Sequence, residues 1–295
     1  MSTFGGGYGG GYGGQRSGGG NMWRLLIAVV IAGIGIFTYL SHKETNPVTG
    51  EVQHVAMSVD QEKQLGLQAA PEMAAKMGGA LDSRADPRAA RVRDIGLRVL
   101  SQSDAARSNY ADNFHYNLLD DPQTINAFAL PGGQVFITTG LYDKLENEAQ
   151  LAGVLGHETG HVIGRHSAEH MAKSQLGNML AAAVAVGASN DRGRGQAAAM
   201  AAMMANQMLQ LSYSRKDELE ADSLGLRYMI QSGFDPSAMR GVMEILKREA
   251  GAGRGPSFLQ THPDPDARIQ QIEEFLKKDY PNGVPSELTK GRALR

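Results

Sequence analysis

The pattern of apolar and polar positions divides the chain into five stretches. Residues 1–22 are rich in glycine and poor in apolar side chains, which predicts a disordered tail, because such a stretch cannot bury a core. Residues 23–41 are almost continuously apolar, and residues 42–57 form a turn-rich linker around "NPVTGE". Residues 58–280 show helical and strand periodicity, which predicts one folded domain. Residues 281–295 then form a C-terminal tail.

The apolar stretch "WRLLIAVVIAGIGIFTYL" carries no charge after Arg24. As a helix it would span about 27 Å, close to the hydrocarbon thickness of a bilayer, with Trp23 and Tyr39 at its interfaces. We predict an uncleaved, single-pass signal anchor at 23–41. A cleaved signal peptide is disfavoured because no small-x-small cleavage site follows, and a buried soluble helix is disfavoured by the sharply polar flanks. Arg16 and Arg24 precede the span, so the positive-inside rule places the N-terminus in the cytoplasm and the folded domain outside.

Periodicity within the folded domain predicts an α+β fold that is mainly helical. Strand-like patterns lie at 114–119 and 126–140, the latter turning back at "PGG", which predicts a small antiparallel sheet. Helices are predicted from Ser58 as N-cap with Glu62 in the first turn, over 87–102, from Asn147 with Gln150 as a capping box, and over 212–231, 237–250 and 265–279.

Residues 176–211 contain two apolar runs rich in alanine and methionine around the polar "SNDRGRG". Each run is shorter than the roughly 20 residues of a spanning helix, so we predict a helical hairpin that is buried or leans on the membrane. The methionines would either form an adaptable contact surface or pack in the core.

Composition then narrows the chemistry. The chain has no cysteine, which excludes disulfides, thiolate metal sites and cysteine nucleophiles. The formal net charge is −2, so a general nucleic-acid-binding surface is not indicated. Histidines and carboxylates remain as ligands for a transition metal.

"GHETGH", residues 156–161, supplies such ligands. Positions i and i+4 share a helix face, so His157 and His161 can converge on one tetrahedral zinc ion. Glu158 lies beside that face and would accept a proton from a zinc-activated water as general base. The alternative, two surface histidines on an ordinary helix, is weakened by the apolar residues around them, because burying unpaired histidines is costly.

Four glycines recur along the same helix beside the histidine face. Each costs about 1 kcal/mol relative to alanine in a helix interior, so the pattern needs compensation. We predict that another backbone approaches there, namely the helix that brings the third ligand. The glycines are Gly153, Gly156, Gly160 and Gly164.

The third ligand is not supplied by the nearby histidines. His166 falls one place short of the H-E-x-x-H-x-x-G-x-x-H spacing and projects about 180° from His157 if the helix continues, so His166 and His170 are predicted to be surface or outer-layer residues. "SRKDELEADSLG", residues 214–225, offers Glu218 as the third ligand. Asp222, at i+4, would accept a hydrogen bond from a ligating histidine.

Glu220 would point nearly opposite to Glu218 and Asp222 on that helix. Alone, this acidic stretch would be interpreted as a solvated face. Beside H-E-x-x-H, whose zinc needs a third ligand, the metal-binding interpretation is favoured.

Four motifs, "NAFALPGGQVFITTGL", "LGHETGH", "SRKDELEAD" and "THPDPDARI", occur in an order and context that resemble one gluzincin metallopeptidase family. This family contains CAAX prenyl proteases, HtpX-type membrane proteases, mitochondrial inner-membrane quality-control peptidases and periplasmic chaperone-proteases. The resemblance covers residues 58–280 and implies a gluzincin metallopeptidase domain whose edge strand faces the active-site helix. The membrane hairpin of some members looks shortened here to 176–211.

The resemblance implies further roles. Asn126, Ala127 and Phe128 would belong to the edge strand that pairs with an extended polypeptide substrate. His262 would lie near the metal, either as a catalytic hydrogen-bond donor or as a fourth ligand that silences the site, and Arg268 would anchor that segment.

We therefore predict a zinc metalloendopeptidase with one Zn²⁺ per chain, held by His157, His161 and Glu218, with Glu158 as base. It would reside in a bacterial inner membrane with a periplasmic catalytic domain and degrade unfolded or damaged envelope proteins. The alternative is a chaperone-like binding protein with a structural or His262-blocked zinc. A prenyl-peptide processing enzyme is disfavoured by the short hairpin. The sequence indicates no oligomeric state.

Overall fold

The computed structural model describes residues 19–188, 212–251 and 257–294. Residues 1–18 of the predicted disordered tail lie outside these ranges. The second half of the predicted hairpin, residues 189–211, also lies outside them.

The described chain is mainly helical, with two small sheets. The helices are α1 (Gly19–Ser41), α2 (Val59–Lys76), α3 (Pro87–Ser101), α4 (Thr139–Tyr142), α5 (Glu148–Ile163), α6 (His166–Ala188), α7 (Arg215–Gln231), α8 (Ala238–Gly251), α9 (Ser257–Thr261) and α10 (Pro265–Asp279). The strands are β1 (Lys43–Thr45), β2 (Val52–His54), β3 (His115–Leu119), β4 (Ala127–Leu130) and β5 (Gln134–Thr138).

The helix starts follow from polar caps. Ser58 forms a full capping box with Gln61 at the start of α2, and Ser214 forms one with Asp217 at the start of α7. Asn147 caps α5 by accepting a hydrogen bond from the backbone of Gln150 at 3.0 Å. The predicted box at Asn147 is incomplete, because the Gln150 side chain accepts from the amide of residue 146 instead.

The larger sheet has the strand order β3-β5-β4 and is mixed. β4 and β5 form the predicted antiparallel hairpin, but β3 pairs with β5 in parallel. The prediction of a wholly antiparallel sheet is therefore wrong. β4 runs opposite to β3, and β5 runs opposite to β4, so β3 and β5 run in the same direction. The chain between β3 and β4, residues 120–126, takes β4 to the far side of β5, which leaves β3 and β5 as neighbours. Among the strands of the described residues, β4 stands at one end of this order.

α5 lies at the centre of the domain. All sixteen of its residues are buried, and it contacts α3, α7, α8 and the β4–β5 hairpin. The predicted linker contributes the β1–β2 pair, from which Asn46 donates to the backbone oxygen of Ile163 at the end of α5, at 2.8 Å. The predicted C-terminal tail contacts the other end of α5, where the carbonyls of Arg292 and Lys290 accept from its first amides.

α1 packs along α6. Gly35 lies against Leu176 and Met179, while His42 and Ala172 line one cavity, so the two helices run antiparallel. Among the described residues, α1 is the one helix whose length and apolar composition suffice to cross a membrane, over residues 22–41.

Candidate metal centre

α5 places two imidazoles on one face. His157 and His161 are one helical turn apart, and their Nε2 atoms lie 3.0 Å from each other. Both side chains are buried.

α7 crosses α5 at the histidine face and brings a carboxylate. The Glu218 oxygens lie 3.4 Å from Nε2 of His161 and 3.6 Å from Nε2 of His157. The crossing is close because it runs over glycine: a Cβ added at Gly160 would lie 2.9 Å from the backbone oxygen of Ala221. A side chain there would push α7, and with it Glu218, away from the histidines.

The prediction about the four glycines is confirmed at two of them. Gly156 faces the backbone of Gly225, and Gly160 faces that of Ala221, both on α7. Gly153 instead meets the side chain of Met229 and the backbone of α8, and Gly164 lies after α5, beside His166.

His262 completes a cluster of four. Its Nδ1 lies 3.2 Å from Nε2 of His157 and 3.0 Å from Glu218 Oε1. One ligand atom from each of His157, His161, Glu218 and His262 lies within 4.8 Å of the others, so the group could hold a metal ion. Sequence placed His262 near the metal only through the resemblance, because a loop histidine 101 positions after His161 carries no spacing signal.

The side chains fit a bound cation. Both carboxylate oxygens of Glu158 are buried, and within the described part of the chain they have no hydrogen-bond partner. His262 Nε2 is 3.6 Å from one of them. A buried carboxylate is costly unless a positive charge or a donor balances it, and a metal held by the neighbouring ligands would supply that charge. Nitrogen and oxygen donors in a group of three or four are typical of zinc.

Asp222 and Arg268 support the cluster from behind. Asp222 Oδ1 accepts from Nδ1 of His157 at 2.8 Å, which turns Nε2 of that ring toward the cluster. Arg268 donates to both oxygens of Asp222, at 2.6 and 2.7 Å, and lies 3.0 Å from Glu218 Oε2. Arg268 is thus fully buried against two carboxylates, a closer role than the anchoring that the resemblance implied.

The electrostatic environment favours metal-binding protonation states. Burial raises the pKa of the Glu158 carboxyl, and the charge of His262 opposes this only in part. Burial, and then the neighbouring ring, lower the pKa of His161. Burial acts to raise the pKa of Glu218, but the charges of His262 and Arg268 outweigh it and the pKa is lowered. An anionic Glu218 and a neutral His161 are the forms that bind a metal.

His166 and His170 lie outside the four-residue cluster. His170 Nε2 is 2.7 Å from Asp217, and the neighbouring Ser167 bonds the hydroxyl of Tyr213 at 2.8 Å. We call these two contacts the clamp, because they fix the start of α6 to the start of α7. His166 is buried and touches His161 from the side away from the cluster.

The predicted substrate strand borders the cluster. Asn126 and Ala127 are buried and Phe128 is half-buried. A cavity of about 120 Å³ lies between β4, α2 and the cluster. Its walls include Asn126, Phe128, Met73, Met77, Tyr213 and His262.

Comparison with known proteins decides the family. The sequence profile described as Peptidase family M48 matches residues 86–276, which is more than half of the chain. The chain belongs to peptidase family M48. The resemblance inferred from the four motifs is thereby confirmed, and the chain is a metalloprotease.

Relatives within the M48 family are similar over most of the chain. The mitochondrial metalloendopeptidase OMA1 of Schizosaccharomyces pombe is 32% identical over 252 residues, covering 85% of this chain and 71% of that protein. The beta-barrel assembly-enhancing protease of Escherichia coli is 30% identical over 284 residues, covering 93% of this chain and 56% of that protein. The chain thus spans little more than half the length of the bacterial M48 relative.

Proposed function

We propose that this protein is a membrane-anchored, zinc-dependent endopeptidase that hydrolyses unfolded or damaged proteins of the cell envelope. The observation that carries the proposal is the buried cluster of His157, His161 and Glu218 with the unpartnered carboxylate of Glu158 beside it. This arrangement provides metal ligands and a base within one water-excluding site.

The roles of the residues follow from their positions. His157, His161 and Glu218 would hold the zinc, which supplies Lewis-acid chemistry by polarising a peptide carbonyl and lowering the pKa of a water. Glu158, whose pKa is raised by burial, accepts a proton from the attacking water and returns it to the leaving amine. His262 Nε2, 3.6 Å from Glu158, is positioned to donate a hydrogen bond to the reacting carbonyl oxygen.

The edge strand β4 supports an extended polypeptide as substrate. An edge strand offers backbone donors and acceptors to a peptide of almost any sequence, which suits unfolded substrates. The Oδ1 atom of Asn126 is buried and has no hydrogen-bond partner among the described residues, so it is free to accept from a substrate amide. The adjacent cavity, lined by Met73, Met77 and Phe128, would accept an apolar substrate side chain.

α1 supports the membrane anchor. Its window of residues 22–41 is long and apolar enough to span a bilayer, and most of it is not covered by protein. Arg16 and Arg24, before the span, favour a cytoplasmic N-terminus and a periplasmic catalytic domain in a bacterial inner membrane.

A chaperone-like binding protein is the second candidate. The contact of His262 Nδ1 with Glu218, at 3.0 Å, supports a role for that ring as a fourth zinc ligand. A zinc with four protein ligands is typical of structural sites, and a silenced protease would retain substrate binding through β4.

Cleavage of casein by the wild type and by the Glu158→Gln variant distinguishes the endopeptidase from the binding protein. We expect unchanged zinc content and folding, with the rate reduced about 10²–10⁴-fold, since general-base catalysis contributes that much. Glu169→Gln, on α6, is the matched control and should cleave like the wild type. Casein left intact by the wild type and by His262→Ala alike would establish the binding protein, whereas cleavage by His262→Ala alone would establish a silenced protease.

A further inference from the structure

The chain bends sharply between α5 and α6. α5 ends at Ile163, Gly164 follows as its C-cap, and Arg165 adopts a left-handed backbone with φ of 57°. α6 then begins at His166. Had the helix continued straight, His166 would project about 180° from His157. The bend turns its ring back toward α5.

The bend brings His166 onto a cluster residue. Its Nδ1 lies 2.9 Å from Nδ1 of His161, and its Nε2 lies 3.4 Å from Oε2 of Glu220 on α7. Only 1% of the His166 side chain is exposed. The three side chains therefore form one continuous row from the cluster to the far side of α7.

The protons of this row can be arranged in only one direction when His161 is a ligand. Nε2 of His161 faces the cluster, so its Nδ1 carries the proton and donates to Nδ1 of His166. Since His166 accepts there, its own proton lies on Nε2 and is donated to Glu220. Each nitrogen thus has one role.

We propose that His166 and Glu220 are positioning residues that hold the His161 ring for the metal, as Asp222 holds the ring of His157. The two ligating histidines are then oriented by unlike partners. His157 donates directly to a carboxylate at 2.8 Å, whereas His161 reaches its carboxylate through a second imidazole. Such outer hydrogen bonds typically change metal affinity 10–100-fold.

Contacts from other parts of the chain stabilise the bend that brings His166 to His161. A left-handed backbone costs a non-glycine residue about 1–2 kcal/mol, so it persists only where the surroundings hold it. Arg165 is held by Glu62, whose Oε1 accepts from its Nε at 2.9 Å, by the backbone oxygen of Met57 at 2.7 Å, and by Glu44. The pair with Glu62 is buried.

Gly164 provides the space. A Cβ added there would lie 2.6 Å from Nε2 of His166, closer than a Cβ atom approaches an atom to which it is not bonded. The linker fixes the same turn, because Gln53 donates to the backbone oxygen of Gly164. The orientation of the His166 ring therefore depends on Arg165, on Gly164 and on the contact from Gln53.

Zinc binding by the full-length protein tests the proposal, since it reads the site without reading catalysis. The affinity is measured by competition with a chromophoric chelator, and the coordination by the visible absorption of the cobalt-substituted protein. We expect His166→Ala to weaken zinc binding about 10–100-fold and to change the cobalt spectrum. His166→Asn should restore most of the affinity, because the asparagine oxygen occupies nearly the position of Nδ1.

His170→Ala is the matched control, since His170 lies on the same helix but contacts Asp217 rather than a ligand. It should bind zinc within about twofold of the wild type, on a protein whose unfolding is measured in parallel. Wild-type affinity in a folded His166→Ala protein, or equal defects in the alanine and asparagine variants, would overturn the proposal.

Glu220→Ala covers the case in which His166→Ala does not fold. It should weaken zinc binding severalfold in the wild-type background, and an unchanged affinity and cobalt spectrum would count against the row. In the His166→Ala background, where that variant folds, it should add almost nothing, because coupled residues are not additive. The proposal rests on the proposed zinc site: a wild type that binds no zinc would refute that function, whereas normal zinc binding by the variants refutes the positioning role alone.

Discussion

α5 and α6 are consecutive helices with opposite surroundings. α5 is enclosed on every side, and all of its residues are buried. α6 is buried mostly near its start, beside the candidate metal centre, and further along it packs on α1 and exposes apolar side chains, with Val184 71% exposed. Both helices are rich in small and apolar residues, so apolar composition alone does not distinguish them.

The difference shows what fixes a functional side chain. The proposed ligands on α5 are oriented by other helices, through Asp222 and Arg268, and by glycine contacts that set the spacing to α7. Beyond its first turns, α6 packs mainly on α1, with β2 and the chain just after it as further neighbours among the described residues. Substitutions should therefore have large effects around α5 and small effects along α6.

The largest difference in stability between the two regions is expected when a charged partner is removed. Arg268→Met leaves Asp222 and Glu218 buried without their cation, and breaking a buried ion pair typically costs about 3–5 kcal/mol. Lys173→Met on α6 removes a partly exposed pair with Glu169, and we expect a loss of about 0.5 kcal/mol or less. Urea unfolding measures both. Equal losses would mean that Arg268 does not stabilise the surroundings of α5.

Glycine substitutions sharpen the comparison through backbone spacing. Gly160→Leu inserts a side chain where α7 approaches within contact, so we expect a loss of about 1–3 kcal/mol and a reduced zinc content. Gly177→Leu, in α6, meets open space and should be neutral or stabilising by about 1 kcal/mol. Thermal unfolding and metal analysis are the measurements. A folded Gly160→Leu protein with full zinc content would contradict the close-crossing argument.

The smallest effect on stability is expected at the far end of α6, where accessibility is the informative measurement. The chain has no cysteine, so single cysteines can be labelled selectively. If α1 spans a bilayer, Val184→Cys beside it should resist a membrane-impermeant maleimide in native membranes. Leu97→Cys, 41% exposed on α3, should react readily. Equal labelling of the two would place this part of α6 in water.

Much of the fold could be predicted from short-range sequence signals. Ser58 and Asn147 were identified as caps, and Pro87 begins its helix, because capping and proline preferences are local. The parallel pairing of β3 could not be predicted, since it depends on which side of β5 the chain between the strands passes. The contacts of the last residues with α5 also involve distant parts of the chain.

The site residues also fall into those that local sequence signals predict and those that depend on distant parts of the chain. Helical periodicity identified His157 and His161, and the shared face of Glu218 and Asp222 suggested the carboxylates, which the structure brings together with the histidines. The prediction excludes His166 because it assumes that the helix continues straight, and it excludes Glu220 because that residue projects nearly opposite to Glu218 on its own helix. Gly164 followed by arginine is only a weak stop signal, and the left-handed turn is held by distant residues of the linker and α2.

The clamp between α6 and α7 separates the candidate metal centre from the segment of chain that connects these two helices. Ser167–Tyr213 and His170–Asp217 join residues 46 and 47 positions apart, so they close a loop at its base, next to the metal centre. Insertions or deletions beyond the clamp should therefore be nearly neutral for the ligands, which makes this loop a natural place for homologous enzymes to differ in size.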